Sequence, residues 1–288
     1  MARHAVVSML ATTRRMAGGF TALASTPRVQ FLCLHHVFEE ERSAFGRMLE
    51  LLSQTHLFIS YSDAVERILG GDIDQPYMVV TFDDGFKSCV TAGNVMRDMG
   101  IQGMFFVCGS SIELKSDQQL EQHCRRCLHV RPVELLRWTD LQALLDQGHE
   151  IGAHTMTHPN LAAVSIEQAR AEIGQSRQTL VSRLGRADHF AWPFGPFDRF
   201  SAQCAQAVFE AGFRSCASAV RGAHAGGDPI DDHRRLCVRR DHIVAKWPLS
   251  HVRYFLARNC DQLLSVDELW PCSWLPSITY ESDDDVVS

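Results

Sequence analysis

Residues 77–85 read Tyr-Met-Val-Val-Thr-Phe-Asp-Asp-Gly, and this segment decides the fold. The run from Tyr77 to Phe82 is apolar or β-branched, which is typical of a strand buried on both faces of a parallel sheet. Two carboxylates and a glycine follow at once. Functional side chains of parallel α/β folds gather at the carboxyl ends of the strands, so Asp83 and Asp84 are candidate site residues. Taken alone, the pair is equally consistent with a helix cap beside a surface carboxylate.

Strand and helix patterns alternate on both sides of this segment. We predict strands over residues 29–34, 57–60, 77–82, 103–108, 149–153, 190–192, 213–219 and 235–238. The helical patterns between them end at glycines such as Gly100 and Gly185. This order predicts an α/β fold, a distorted (β/α)7-type barrel with mostly parallel strands.

The chain divides into three parts by composition. Residues 1–28 read as an N-terminal extension that could be disordered, 29–276 as one catalytic domain, and 277–288 as an acidic tail. A long polar stretch, 110–137, is predicted to be an insertion over one rim of the barrel.

The charge and the cysteine content of the chain indicate which partners it can bind and in which compartment it is located. The 288 residues include 28 Lys and Arg against 34 Asp and Glu, a formal charge of −6, which disfavours binding to nucleic acid. Ten cysteines are scattered through apolar runs, as expected of reduced thiols, and indicate the cytoplasm. Export by a weak twin-arginine-like signal at Arg14-Arg15 is the alternative. Cys124 and Cys127 form the single Cys-x-x-Cys pair, read as free thiols or as a zinc clip.

Two further segments each follow a predicted strand. Residues 154–159 read His-Thr-Met-Thr-His-Pro, and two imidazoles four positions apart can reach one metal ion together with a carboxylate. Residues 190–196 read Phe-Ala-Trp-Pro-Phe-Gly-Pro, in which proline and glycine fix a turn. The plain alternatives are satisfied loop histidines and an ordinary strand-to-helix turn.

Together the three segments resemble the motifs of the polysaccharide deacetylase family, carbohydrate esterase family four. The family's Thr-Phe-Asp-Asp-Gly stands at 81–85, its His-[Ser/Thr]-x-x-His-Pro at 154–159, and its Pro-[Tyr/Phe]-Gly at 193–195. The resemblance covers about residues 29–238. It is closest to a subgroup that makes or trims exopolysaccharides.

The resemblance implies a role for each motif residue. Asp84, His154 and His158 would hold one divalent metal ion, usually zinc, and Asp83 would be the general base that takes a proton from the attacking water. A backbone N–H near Phe194 would stabilise the oxyanion. Residues that would line the substrate site are Trp192, Pro193, Phe194 and Gly195.

The chain departs from the commonest family pattern in two places. The arginine that usually pairs with the base is replaced by Ala191, and the late Leu-x-His motif that supplies the general acid is not evident. Near the end, Arg235 stands where the subgroup has an arginine that begins a strand. The subgroup's first-strand histidine aligns with His35, which we predict to be the acid, with neighbouring His36 and the later His242 as alternatives.

The predicted function is metal-dependent removal of N-acetyl groups from amino-sugar units of a poly- or oligosaccharide. An O-acetyl esterase or another amide hydrolase on the same site is one alternative. A non-catalytic carbohydrate-binding descendant is the other, and the intact aspartates and histidines argue against it.

Overall fold

The computed structural model describes residues 2–16, 22–261 and 263–279. These residues form nine strands, all paired in parallel: β1 Arg28–Leu34, β2 Leu57–Phe58, β3 Pro76–Phe82, β4 Gly103–Val107, β5 Glu150–Ala153, β6 His189–Ala191, β7 Ser215–Ala217, β8 Cys237–Val238 and β9 Arg240–His242. The sheet order is β8-β7-β6-β5-β4-β3-β1-β9, with β2 paired to β3 beside this path.

Helices cover the outside of the sheet, as the alternating pattern predicts. Their bounds are α1 Ala2–Met16, α2 Ala22–Ser25, α3 Arg42–Ser53, α4 Tyr61–Gly70, α5 Cys89–Asp98, α6 Asp117–Arg126, α7 Trp138–Asp146, α8 Ile166–Leu184, α9 Ala202–Glu210, α10 Leu249–Cys260 and α11 Leu275–Thr279. Helix α8 shows why such bounds can be predicted from the sequence. Ser165 and Gln168 form a reciprocal capping box at its start, and Gly185 ends the helix at φ 83°.

One extended segment closes the sheet into a nearly complete barrel. β8 pairs with β7, and β9, only one residue later, pairs with β1 at the opposite edge. The predicted distorted barrel is therefore confirmed, with eight strands on its path rather than seven. The additional strand is β9, whose sequence Arg-Asp-His lacks the apolar character of the others.

The central strands form the core and hold the site rigidly. Every residue of β1 is buried, and six of the seven residues of β3 are buried. Burying one Val or Leu side chain stabilises a fold by about 1.5–3 kcal/mol. The carboxyl ends of β1, β3 and β5 are therefore well anchored where the candidate residues follow them.

The structure describes part of each predicted terminal segment. Residues Ala2–Met16 of the predicted extension form α1, whose Ser8 Oγ lies 2.8 Å from His251 Nε2 on α10. Arg14 and Arg15 belong to this helix. Residues 277–279 complete α11, while the rest of the predicted tail, 280–288, lies outside the described residues. Among the described helices, none combines the length and hydrophobicity needed to cross a bilayer.

Candidate metal centre

Three predicted metal ligands meet at the carboxyl ends of β3 and β5. Asp84 follows β3, and His154 and His158 follow β5. Oδ1 of Asp84 lies 3.3 Å from His154 Nε2 and 3.2 Å from His158 Nε2, and all three side chains are buried. The structure thus brings together the ligand set that the motifs predicted.

Hydrogen bonds to backbone carbonyls determine which nitrogen of each imidazole faces the centre. Nδ1 of His154 lies 2.7 Å from Ala191 O, and Nδ1 of His158 lies 3.0 Å from Cys127 O. A carbonyl oxygen can only accept, so each neutral ring carries its hydrogen on Nδ1 and presents a lone pair at Nε2.

These lone pairs show that the residues fit a metal ion. The two Nε2 atoms face Asp84 Oδ1, a buried oxygen without a hydrogen-bond partner. Three acceptors held this close are stabilised by a cation among them. Two imidazoles and one carboxylate also leave coordination positions open for water and substrate.

The local electrostatics favour positive charge at this point. Burial lowers the pKa of His154, but Asp84 and Asp83 outweigh it and the pKa lies above its usual value. Burial opposes ionisation of Asp84, yet His154 and His158 hold the pKa of this carboxyl well below its usual range. The pocket therefore stabilises a cation, whether a proton or a metal ion.

Asp83 is buried beside the centre but is engaged by a different partner. The guanidinium of Arg240 donates to Asp83 Oδ1 at 2.7 Å and to Oδ2 at 2.8 Å, and the Cys33 thiol donates to Oδ2 at 3.4 Å. Burial raises the pKa of Asp83, but the charge of Arg240 outweighs it and the pKa lies below its usual value. Asp83 is therefore an ionised carboxylate that is not a ligand, as a general base requires.

Arg240 is the site residue that the sequence analysis missed. The interpretation of Arg235 as the strand arginine is wrong, because Arg235 lies in a 3₁₀ turn and pairs with Asp267 at 2.6 Å. Arg240 on β9 instead reaches Asp83 across the barrel. An arginine in a buried strand needs a carboxylate partner, but the polar run Arg-Asp-His gives no local sign that β9 is a buried strand.

The three candidate acid histidines occupy different surroundings. His35 Nε2 lies 4.0 Å from Asp84 Oδ2, and its side chain is 36% exposed. The His242 ring centroid lies 5.4 Å from that of His35. His36 stacks on Phe86 at 3.9 Å, and its Nδ1 lies 3.1 Å from Ser88 Oγ. Of the three, His35 is the histidine whose ring nitrogen contacts Asp84, whereas His242 contacts the ring of His35 and His36 is engaged by Phe86 and Ser88.

The third motif contributes one exposed side chain to the site. Phe194 is 43% exposed and its ring lies 4.8 Å from that of His158. Trp192 is fully buried, stacks on Phe200 at 4.4 Å and donates its indole N–H to Pro196 O. The prediction that Trp192 binds substrate is therefore corrected, because its ring is part of the core.

The remaining third-motif residues shape the turn. Pro193 is buried, and Gly195 is buried with φ 86°. A Cβ at Gly195 would lie 2.2 Å from that of Ala219, so only glycine fits this approach. Neither residue offers a side chain to a substrate.

Unusual backbone conformations concentrate around the centre. The described non-glycine residues with positive φ are Asp84, His129, Thr155, His158 and Phe194. Such conformations cost free energy and persist where the surrounding structure enforces them, commonly at functional sites. Three of the five are predicted site residues, which gives an observation independent of the motifs.

The predicted insertion forms one wall of the site. Its helix α6 is followed by Cys127, whose carbonyl orients His158, and Leu136 N donates to Gly85 O at 2.8 Å. Cys127 is half-buried and Cys124 buried, and both are free thiols. Among the described residues the metal-ligating group is the one at Asp84, so the alternative of a zinc clip finds no support.

A parallel barrel with a carboxylate–imidazole cluster at its strand ends defines the class of α/β-barrel enzymes. A family model described as "Polysaccharide deacetylase" matches residues 70–215, which includes the first three motifs. The chain therefore belongs to the polysaccharide deacetylase family. It is a hydrolase that acts on carbon–nitrogen bonds other than peptide bonds.

Solved structures with the same fold include three deacetylases or related proteins, each with a TM-score of 0.62. IcaB from Ammonifex degensii is 19% identical, with 82% of this chain and 98% of that chain covered. Deacetylase PplD from Streptococcus pyogenes is 16% identical, with coverage of 79% and 97%. A de-N-acetylase from Aggregatibacter actinomycetemcomitans is 15% identical, with coverage of 79% and 99%. At these identities the likeness confirms the barrel fold.

Proposed function

We propose that this protein removes N-acetyl groups from amino-sugar units of a poly- or oligosaccharide, with one divalent metal ion held by Asp84, His154 and His158. The observation that carries the proposal is the convergence of three metal-ligating atoms beside Asp83, an ionised carboxylate that is not one of them. Zinc is the preferred ion, because two imidazoles and one carboxylate form a ligand set common to catalytic zinc sites.

Each residue around the centre would have a separate role in amide hydrolysis. When bound, the ion would supply Lewis-acid polarisation of the reacting oxygens. Asp83 accepts a proton from the attacking water, and Arg240 keeps this carboxylate ionised and correctly oriented. The departing amine needs a proton as the C–N bond breaks, and His35 supplies it from the exposed side of the centre.

The general base is tested with zinc-loaded protein and tetra-N-acetylchitotetraose, with acetate release measured by mass spectrometry. Asp83→Asn keeps an oxygen that accepts from Arg240, so folded protein is expected by circular dichroism. It should retain one metal ion per chain and lose at least ~10²-fold in turnover. The matched control is His36→Ala, which removes a nearby imidazole that is engaged by Phe86 and Ser88. Unimpaired turnover in Asp83→Asn would show that the base is a different group.

The proton donor is tested by comparing two leaving groups. His35→Ala should lower amide hydrolysis by ~10²-fold or more with metal content unchanged. Hydrolysis of 4-nitrophenyl acetate should fall much less, since nitrophenolate leaves without a proton. Equal losses on both substrates would assign His35 to structure or binding, and no loss on either would transfer the role to His242.

The same assays distinguish the alternatives. Release of acetate from O-acetylated sugars alone would identify an esterase, and binding of carbohydrate with turnover of neither class would identify a binding protein. The cytoplasm is the proposed location, supported by ten free cysteines in the structure.

A further inference from the structure

The open groove beside the metal centre is cationic. It has a volume of about 680 Å³ and begins at His158 itself. Its charged lining residues are Arg126 and Arg199, His129 and Phe194 also line it, and no aspartate or glutamate belongs to this lining. The whole chain carries a formal charge of −6, so the charge of the groove is opposite in sign to the net charge of the molecule.

The two arginines have little compensation from neighbouring acids. Arg125 pairs with Glu121 at 2.8 Å on the exposed face of α6, whereas no ion pair joins the adjacent Arg126 to an acid of the described chain. Arg199 lies 3.8 Å from Asp198, but both side chains are largely exposed, at 49% and 72%, so solvent screens this pair.

Glu172 is the acid bound to the loop that leads to His158. Its carboxylate accepts from the backbone N–H groups of Met156 and Thr157, each at 2.8 Å, and from the Thr157 hydroxyl. Its negative charge is therefore engaged in holding the loop.

The groove also offers a surface for a sugar ring. Phe194 is exposed, and its ring stacks with that of His129 at 6.2 Å with an interplanar angle of 25°. The Arg199 guanidinium lies 6.0 Å from the Phe194 centroid. An apolar ring with a guanidinium beside it can contact the face of a sugar while the guanidinium binds an anion.

We propose that this groove binds an anionic group on the sugar next to the N-acetylated unit, so that the preferred substrate is an acidic oligosaccharide. The placement of the acetylated sugar rests on the proposed function, since that unit must lie at Asp84. The planar fork of arginine suits the two oxygens of a uronate carboxylate.

The experiment measures binding rather than turnover, so that it remains informative if the proposed reaction is wrong. The probes are a hyaluronan tetrasaccharide, which alternates glucuronate with N-acetylglucosamine, and its methyl ester, which has the same linkages without the charge. Affinities for the full-length protein are measured by titration calorimetry at low salt and in 0.5 M NaCl. The variants are Arg126→Gln, Arg199→Gln and the double variant, with Arg125→Gln as the matched control on the same helix.

We expect the acid to bind about tenfold more tightly than its ester at low salt, with each exposed arginine contributing a factor of about three. The preference should disappear in the double variant and in high salt, and it should persist in Arg125→Gln. Equal affinities for acid and ester in the wild type, or absence of binding by the acid, would overturn the proposal. So would a preference that survives in the double variant. Loss of turnover on every acetylated substrate with the charge preference intact would overturn the proposed reaction alone.

Discussion

Replacing Arg240 by Met is the most demanding test of the site geometry. The side chain is fully buried and its guanidinium binds both oxygens of Asp83. It also donates to Ser218 O at 2.7 Å and to Thr81 Oγ1 at 3.1 Å. Met has a similar length but no charge and no donor, so Asp83 becomes a buried carboxylate without its cation.

The expected cost follows from this environment. Removing one partner of a buried ion pair destabilises a protein by about 3–5 kcal/mol, because the remaining charge is uncompensated. We therefore expect the free energy of unfolding of Arg240→Met to fall by about 4 kcal/mol, measured by urea denaturation followed by tryptophan fluorescence. Arg240→Lys keeps the charge without the two-pronged geometry and should cost less.

A double-mutant cycle with Asp83→Asn isolates the interaction between the two side chains. The double variant removes both charges and should be more stable than the sum of the single effects implies, by at least about 2 kcal/mol. A coupling energy below about 0.5 kcal/mol, or an Arg240→Met variant as stable as the wild type, would refute the assignment of Arg240 as the partner of Asp83.

Three further predictions concern the metal, a turn and the response to acid. His154→Ala and His158→Ala should each lose stoichiometric zinc by elemental analysis, because two protein ligands rarely hold this ion; retention of zinc in both would contradict the ligand set. Gly195→Ala should destabilise by about 2 kcal/mol or more in thermal unfolding, since φ is positive there and the new Cβ meets backbone, whereas Gly174→Ala in open space on α8 should not. Burial lowers the pKa of His224 to about 3, so the unfolded state takes up its proton first and stability falls as the pH drops from about 6.5 towards 3. In urea titrations near pH 5, His224→Gln should reduce that pH slope by about 1.3 kcal/mol per pH unit, and an unchanged slope would mean that the imidazole is protonated in the fold.

Most strands were predictable because they are buried apolar runs. Strand β3 is the clearest case, since nearly every side chain in it is buried and the local pattern agrees with the tertiary environment. Strand β9 was not predictable in the same way. Burial of its polar side chains depends on partners from other parts of the chain. Arg240 pairs with Asp83, and Asp241 accepts hydrogen bonds from Arg221 and Asn259.

The site was predictable where the residue types of a motif are sufficient to indicate its chemistry. Asp84, His154 and His158 converge as expected, because strand ends determine where these side chains lie. Trp192 was misplaced because its ring packs against Phe200 and Trp270, contacts that no local pattern shows. The orienting carbonyl of Cys127 was equally invisible, since any residue type can supply it.

Closure of the barrel by a single late segment has a consequence for biosynthesis. Asp83 and Arg240 stand 157 positions apart in the chain. The ribosome therefore synthesises the base, Asp83, long before its partner. Until β9 docks, the edge of β1 is unpaired and a buried carboxylate lacks its cation. Contacts this distant in sequence carry a loop-closure cost and form late. Formation of the Asp83–Arg240 pair and closure of the barrel are therefore the same event, and chains that stop before β9 are expected to be inactive targets for chaperones and proteases.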